Sequence, residues 1–174
     1  TMGGNLGNGS AKADSVLIEY VADAKLVLSS VDGQRIIPVT EFYKGRKQLD
    51  LGKDELITEI LLPKTGLENY YYKKVGARNA LAISRVSFAG IIDMDGDVIK
   101  NIAVAFGAVE ATVCRHKEIE AMLIGKTLEE AKALKADFLA AYGEAIQPIR
   151  GRVSADYRKK VCMNLLGDFL TEKG

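Results

Sequence analysis

The sequence predicts an α+β fold in which antiparallel strands precede helices along the chain. Turn signals at Asp32-Gly33 and Asp95-Gly96 each separate two β-rich runs, as in hairpins. Beyond residue 115, apolar residues recur at helical spacing instead. Because strands grouped before helices favour separate layers over alternating βαβ units, we expect a small N-terminal piece followed by three to four antiparallel strands packed on three helices.

The predicted N-terminal elements are a loop, a helix and a hairpin. Four of the first ten residues are glycines, which accept backbone conformations closed to other residues and so predict a loop. A short helix is predicted from Ser15 to Ala24, with Asp14 or Ser15 as its N-cap. The run 25–39 is β-rich on both sides of its turn, which predicts a hairpin.

The central part of the chain is predicted to consist mainly of strands. Residues 41–51 predict an irregular connection. A strand over 54–62 is favoured over a short helix, because Pro63 stops it and its apolar residues suit a buried sheet. The segment from Pro63 to Gly66 is the predicted domain boundary. Three further strands are expected over 69–76, 82–93 and 98–109.

The C-terminal part predicts three helices. A short one is expected over 115–124. Thr127 with Glu130 three residues later is typical of a capping box, and predicts the start of a second helix. The third is predicted from Ser154, as its N-cap, to Leu170, because apolar residues recur along one face.

Composition excludes several functional classes. The 174 residues include 24 lysines and arginines and 23 aspartates and glutamates, a net charge of +1 that argues against coating nucleic acid. No run approaches the ~18 apolar residues of a membrane span, and residues 1–5 lack the basic and apolar regions of a signal peptide. Two cysteines and one histidine are too few for a disulfide framework or a Cys/His zinc site. We therefore expect a cytoplasmic protein with no metal site, no nucleic-acid partner and no membrane contact.

Three further features have structural rather than functional interpretations. Tyr70, Tyr71 and Tyr72 alternate faces of a strand, so we expect them to pack at core and rim. We expect His116 on the surface, because one histidine near one cysteine gives too few ligands for a closed metal site. The basic residues between Arg150 and Lys160 are expected to form a solvated helix start or a subunit contact.

One segment indicates a binding site: Thr1 to Asn5, followed by Asp14. Paired glycine amides can form an anion-binding concavity, because no Cβ keeps a phosphate away. The Thr1 hydroxyl and the Asn5 amide add neutral donors, and Asp14 could accept a hydrogen bond from a sugar or ribityl hydroxyl. The segment matches neither the Rossmann nor the P-loop pattern. Composition alone also allows a flexible linker here.

The same residues resemble a known motif. Thr1 to Leu6 is similar to the T-[IV]-G-G-N motif of the flavoprotein subunits of molybdenum hydroxylases, the xanthine dehydrogenase and carbon monoxide dehydrogenase family. Further blocks resemble that family in the same order: Asp54–Ile60, Tyr72–Arg78 with Ala80–Ser84, Gly107–Val109 and Pro148–Arg158. Such co-linear agreement over nearly the whole chain is more specific than any single block.

The resemblance implies that the chain contacts FAD. In this family FAD lies between two α+β subdomains, and a C-terminal α+β domain follows. Residues 1–63 would be the C-terminal part of the PCMH-type FAD-binding domain, and residues 64–174 a CO dehydrogenase flavoprotein C-terminal-like domain. Asp14 matches a residue at the ribityl or diphosphate region, whereas Ile57 and Lys74 match residues near the flavin ring. The residues that match the second diphosphate-binding glycine loop are Thr1, Met2, Gly3, Gly4 and Asn5.

The resemblance also implies a multisubunit oxidoreductase, most like xanthine dehydrogenase. A large subunit would carry molybdopterin, a small subunit would carry 2Fe-2S clusters, and electrons would pass through FAD to NAD. The first FAD subdomain is missing from the sequence, so we expect a truncated, inactive fragment that holds FAD weakly. Two alternatives stay open: a non-catalytic assembly module over 64–174 with the glycine-rich start as a linker, and a phosphate-binding protein unrelated to flavin.

Overall fold

The computed structural model describes residues 1–79 and 81–173. Ala80, which begins one of the blocks that resemble the family, lies outside the described residues, as does Gly174. None of the helices within the described part of the chain combines the length and the apolar character needed to cross a bilayer.

The order of elements follows the predicted division into an N-terminal piece, strands and helices. The first nine elements are α1 (Met2–Gly7), α2 (Asp14–Val21), β1 (Lys25–Ser30), β2 (Gly33–Pro38), α3 (Val39–Phe42), β3 (Tyr43–Gly45), β4 (Gln48–Leu49), β5 (Leu56–Leu61) and β6 (Tyr70–Val75). The remaining five are β7 (Val86–Asp95), β8 (Val98–Gly107), α4 (Lys117–Glu120), α5 (Leu128–Ala145) and α6 (Ala155–Lys173).

The N-terminal strands form an antiparallel sheet with the order β2-β1-β5. The predicted hairpin is confirmed, and its last registered pair, Ser30 with Gly33, flanks the turn. The strand predicted before Pro63 is also confirmed, because β5 pairs with β1 along its length. Where an irregular connection was expected, the chain forms α3 and the two-stranded ribbon of β3 and β4, which the sequence did not predict.

The second sheet has the order β6-β7-β8, and both of its pairings are antiparallel. Its central hairpin turns through Gly96, which has a positive φ of 61° and so occupies a conformation that glycine accepts without strain. Between Asp93 and Met94 the pairing with β8 shifts register. This sheet and the helices that cover it confirm the predicted α+β class.

Helices cover both faces of the β7–β8 hairpin. Side chains alternate between the two faces of a strand, so each face contributes to a different hydrophobic cluster. One face packs large residues against α5 and α6, where the Phe88 and Phe169 rings lie 5.6 Å apart. The other face packs mainly alanines against α2, and this helix contacts both β7 and β8. The large set includes Phe88, Ile92, Val104 and Phe106, and the other set comprises Ala89, Ile91, Ala103 and Ala105.

The long C-terminal helices begin as predicted. The Thr127 hydroxyl accepts from the Glu130 amide, and the Glu130 carboxylate accepts from the Thr127 amide at 2.8 Å, which completes a capping box. The Ser154 hydroxyl accepts from the Tyr157 amide at 3.1 Å. The helix predicted over 115–124 was too long, because α4 covers only four residues.

Beyond α4 the chain continues as turns, in which the Met122 and Leu123 amides donate to carbonyls three residues earlier. The Ile99 amide donates to Lys126 and the Ile99 carbonyl accepts from Gly125, so the start of β8 holds this segment in a turn. Gly125 has a φ of 78°, which excludes helical geometry just beyond the predicted end at residue 124.

Candidate functional site

The glycine-rich start forms a helix, so the prediction of a loop was wrong. Thr1 is the N-cap of α1, and its hydroxyl accepts from the Gly4 amide at 3.0 Å. Leu6 is fully buried beneath the helix, and the Tyr43 hydroxyl donates to its carbonyl at 3.1 Å. A threonine cap and one buried leucine together offset the low helix propensity of glycine.

The first turn of α1 presents amide donors. The Met2 and Gly3 amides have no intrahelical acceptor, because no helical carbonyl precedes them by one turn. A Cβ on Gly3 would meet no atom within 4 Å, so the space beside this backbone is free of the chain's own atoms. A Cβ on Gly4 would lie 2.9 Å from the Thr1 hydroxyl oxygen, so glycine at this position preserves the cap. This set of neutral donors suits the oxygens of a diphosphate.

Asn5 connects α1 to α2. Its side-chain nitrogen donates to the Ser15 hydroxyl at 3.1 Å, so the amide is oriented beside the first turn of α2. The N-cap of α2 is Ala13, with no side-chain cap, and the prediction of Asp14 or Ser15 as the cap was wrong. Both side chains are instead engaged in contacts with other elements.

Asp14 is the centre of the polar contacts at this site. Its Oδ2 accepts from the Lys74 ammonium at 2.6 Å, and its Oδ1 accepts from the Ser84 hydroxyl at 3.1 Å. Lys74 lies on β6 and Ser84 lies just before β7, so one carboxylate joins α2 to the second sheet. Tyr72, two residues before Lys74 on β6, has its pKa raised to about 12, chiefly by burial and also by the Asp14 charge.

Ile57 joins this arrangement only through the core. It lies on β5 and is half-buried against the cluster that contains Leu6 and Val16. Because α1 contacts β5, Ile57 belongs to the scaffold beneath the diphosphate-type donors. Asn5 thus joins the first segment to α2 through Ser15, and Asp14 joins α2 to Lys74 through an ion pair. Ile57 is connected to them only through packing in the shared core.

An apolar groove begins at Asp14, and sequence reasoning missed it. Its volume is about 530 Å³. The predicted alternation of the three tyrosines is present here, because Tyr71 is buried against Phe88 whereas Tyr70 is 64% exposed. The walls come from α2, β6 and β7, which are distant in sequence, so no local pattern could have indicated a groove. Its lining is Asp14, Ser15, Ile18, Val21, Ala22, Leu67, Tyr70, Tyr71, Tyr72, Ala89, Gly90 and Ile91.

His116, expected on the surface, is half-buried there beside an exposed glutamate. Its side chain is 24% exposed, its Nε2 lies 3.3 Å from the Cys114 sulfur, and its Nδ1 lies 3.0 Å from a Glu118 oxygen. Burial raises the pKa of the Cys114 thiol, which keeps it protonated and unsuited to nucleophilic attack. Within the described residues, no group of three or more potential metal ligands occurs.

Comparisons with known proteins match both parts of the chain. Residues 1–65 match the model described as FAD binding domain in molybdopterin dehydrogenase, and residues 70–173 match the CO dehydrogenase flavoprotein C-terminal domain. These matches define the class of protein, a flavoprotein with an FAD-binding domain. The chain belongs to the family of FAD-binding medium subunits of molybdenum hydroxylases, which includes those of xanthine and CO dehydrogenases.

Three similar proteins illustrate the relationship. The glyceraldehyde dehydrogenase medium chain of Sulfolobus acidocaldarius is 32% identical over 162 residues, which cover 92% of this chain and 57% of that protein. The xanthine dehydrogenase FAD-binding subunit of Escherichia coli is 29% identical, over 80% of this chain and 49% of that protein. Carbon monoxide dehydrogenase from Hydrogenophaga pseudoflava has the same fold, with a TM-score of 0.87 at 24% identity over 99% of this chain and 60% of that one. The chain thus spans about half of the length of the curated relatives that it matches.

Proposed function

We propose that this chain holds the diphosphate and ribityl parts of FAD in the medium subunit of a molybdenum hydroxylase, most like a xanthine dehydrogenase. The observation that carries the proposal is the convergence on Asp14. The start of α1, the start of α2 and strand β6 reach one another through the Asn5–Ser15 hydrogen bond and the Asp14–Lys74 ion pair.

Each residue at the site has a distinct proposed role. The Met2 and Gly3 amides donate to the diphosphate, and the Thr1 hydroxyl adds a donor while it continues to accept from Gly4. Asn5 is held in place by Ser15, so its carbonyl oxygen and second amide proton remain available to the ligand. FAD, when bound, supplies the redox chemistry of its flavin ring, and the protein supplies binding, orientation and charge.

Asp14 and Lys74 determine the charge of the site together. The ammonium and the carboxylate lie 2.6 Å apart and balance each other, and about a third of the Lys74 side chain is exposed. We assign Asp14 as the acceptor for a ribityl hydroxyl and Lys74 as the cation near the flavin. By its resemblance to the family, we assign Ile57, which packs on the N-terminal core, to the neighbourhood of the flavin ring.

The wider assignment concerns the whole enzyme. We propose a large subunit that carries molybdopterin, a small subunit that carries 2Fe-2S clusters, and NAD as the electron acceptor of the assembled complex. We also propose a division into residues 1–63 and 64–174 and a location in the cytoplasm. The buried, free thiols of Cys114 and Cys162 support a reducing compartment.

One observation favours a second function, as an assembly module. Leu81 is 92% exposed and Ile83 is 58% exposed, and both lie in the segment between β6 and β7. Neighbouring exposed apolar residues are typical of protein interfaces. A module of this kind would dock on partner subunits through residues 64–174 and would need no diphosphate contact from α1.

The test compares FAD retention in variants of the full-length protein. Asp14→Asn removes the carboxylate charge, and Lys74→Met removes the ammonium with little loss of side-chain length. We expect each to weaken FAD binding about tenfold, because each loses a charge-assisted hydrogen bond at the site. The measurements are flavin absorbance per chain after gel filtration and the FAD dissociation constant from fluorescence titration.

The matched control is Lys73→Met. Lys73 is the neighbouring lysine on β6, and its ammonium lies over the Tyr71 ring, 5.4 Å from the centroid. Consecutive residues of a strand point to opposite faces, so this change should leave FAD affinity as in the wild type. Wild-type FAD affinity in Asp14→Asn, with the same fold by circular dichroism, would favour the assembly module.

A further inference from the structure

A polar cleft shares no lining residue with the groove beside Asp14. Four separate segments form it: the loop between α1 and α2, the turn between β3 and β4, the chain just after β8, and the start of α6 with the residues that precede it. Its volume is about 230 Å³. The lining residues are Gly9, Ser10, Ala11, Lys12, Arg46, Lys47, Ala108, Glu110, Ala111, Ile149, Arg150, Gly151 and Arg158.

Arg158 is buried in this cleft, so the expectation that it would be solvated was wrong. It is only 4% exposed. Its Nη1 donates to the Val109 carbonyl at 3.4 Å, which is long, and its Nε is buried without a hydrogen-bond partner among the described residues. No carboxylate in the described part of the chain lies within ion-pair distance of it. A buried guanidinium without a counter-ion is energetically unfavourable. An anion bound beside Arg158 would therefore stabilise it.

The charges around Arg158 have the same sign. Lys12, Arg46, Lys47 and Arg150 are exposed at the walls, and Glu110 is the one carboxylate among the described lining residues. One Glu110 oxygen already accepts from the Gln147 amide at 2.8 Å, so this carboxylate is held by the backbone. Five basic side chains against one carboxylate make this cleft strongly positive within a chain of nearly neutral net charge.

The walls of the cleft are fixed before any ligand arrives. The Lys47 amide donates to the Gly9 carbonyl at 3.2 Å, and the Ala108 amide donates to the Ala11 carbonyl at 2.7 Å. Gly9 has a φ of 63°, and a Cβ there would lie 2.9 Å from the Lys47 Cα, so this close approach requires glycine. Walls joined by backbone hydrogen bonds need little ordering on binding, which favours affinity.

The size of the cleft selects the class of ligand. Pockets for drug-sized molecules enclose roughly 300–1,000 Å³, so a cleft of about 230 Å³ suits a small anion or one end of a larger molecule. Guanidinium groups match the oxygens of phosphate with paired hydrogen bonds, and several nearby cations favour a dianion. We propose that this cleft is a second anion site, which binds a phosphoryl group with Arg158 as its buried anchor. The site goes beyond the proposed FAD contacts.

The test is a titration of the full-length, FAD-loaded protein with inorganic phosphate at constant ionic strength, with chloride as the balancing anion. Calorimetry should give saturable binding of one phosphate per chain. The double variant Arg46→Gln/Lys47→Gln should weaken it about tenfold or more, because two charge-assisted contacts are lost. Lys53→Gln, an exposed lysine outside the cleft lining, should leave the phosphate affinity unchanged.

Arg158→Gln should abolish phosphate binding. If this variant does not fold, the phosphate affinity of Arg46→Gln/Lys47→Gln tests the proposal instead. A parallel titration with AMP distinguishes two sources of the phosphoryl group. Binding of AMP at least as tight as that of phosphate indicates a nucleotide, and binding of phosphate alone indicates the free ion. Non-saturable binding, or equal affinity in the double variant and in Lys53→Gln, overturns the proposal. FAD content is measured in every sample. A protein that lacks flavin and still binds phosphate would count against the proposed function and would leave the proposed phosphate site unaffected.

Discussion

Glu19 is the least well satisfied charged residue in the described structure. It lies on α2, is 1% exposed, and has no hydrogen-bond partner at either carboxylate oxygen. Burial raises its pKa from 4.5 to about 7. The folded protein therefore holds a proton on Glu19 at pH values at which the unfolded chain has released it, and this destabilises the fold at neutral and alkaline pH.

We predict that Glu19→Gln stabilises the protein at pH 8 and not at pH 4.5. Between the unfolded pKa of 4.5 and the folded pKa of about 7, the folded state binds more protons, so the free energy of unfolding falls as pH rises. The shift corresponds to roughly 1–3 kcal/mol at most. Urea denaturation at both pH values measures the difference. A gain of equal size at pH 4.5 and pH 8 would show that the carboxylate charge is not the cause.

The partners of individual charged residues were the least predictable feature at this scale. The sequence indicated Asp14 as a hydrogen-bond acceptor, but its ion-pair partner Lys74 lies 60 residues away, and no local pattern connects them. Arg158 looked like part of a solvated basic run, because its neighbours in sequence are basic. Only the fold shows that Arg158 points into a cleft, since helical position decides which member of such a run is buried.

At the scale of elements, the sequence predicted those features that depend only on neighbouring residues. The two hairpins and the capping box at Thr127 formed as expected, because turn and cap geometry depends on adjacent residues. The start of the chain did not, since Thr1 and Leu6 fold a glycine-rich stretch into α1. Likewise, residues 121–124 form turns where a helix was predicted. For α1, the burial of Leu6 and the hydrogen bond from Tyr43 add tertiary contacts that glycine propensity does not reveal.

We predict that Gly90→Ala destabilises the packing of α6 on β7. A Cβ at this position would lie 2.7 Å from the Phe169 ring, so the aromatic side chain must move within a filled core. Overpacking of this kind costs about 1–3 kcal/mol. The free energy of unfolding from urea denaturation of the full-length protein measures it.

The control for Gly90→Ala is Gly167→Ala on α6. A Cβ on Gly167 meets no atom within 4 Å, and a helical glycine is less favourable than alanine by roughly 0.5–1 kcal/mol. The control should therefore raise stability while Gly90→Ala lowers it. If both substitutions changed the free energy of unfolding in the same direction, the contact with Phe169 would not be the cause of the effect at position 90.

At the scale of the whole molecule, Arg115 connects the N-terminal part of the chain to the second sheet. Its side chain is 3% exposed and pairs with the equally buried Glu120 at 2.9 Å. The same guanidinium donates to the Tyr20 carbonyl and lies 3.0 Å from Asp23, at the end of α2. Glu120 also accepts from the Val104 amide at 2.7 Å, so this cluster joins α2, α4 and β8.

We predict that Arg115→Met lowers the free energy of unfolding by about 3–5 kcal/mol, because it leaves Glu120 buried without its counter-ion. The measurement is urea denaturation of the full-length protein, followed by flavin absorbance and by circular dichroism. The matched control is Lys117→Met, which removes an exposed partner of the same Asp23 and should cost at most about 1 kcal/mol.

The double variant Arg115→Met/Glu120→Gln separates charge from packing. Glutamine keeps a carbonyl oxygen for the Val104 amide and removes the unpaired charge, so the double variant should be more stable than Arg115→Met alone. If the double variant is instead less stable than Arg115→Met, the unpaired charge of Glu120 is not the cause of the loss, and the Arg115 side chain acts mainly through packing. The connection between α2 and β8 would then depend on side-chain packing and not on the Arg115–Glu120 ion pair.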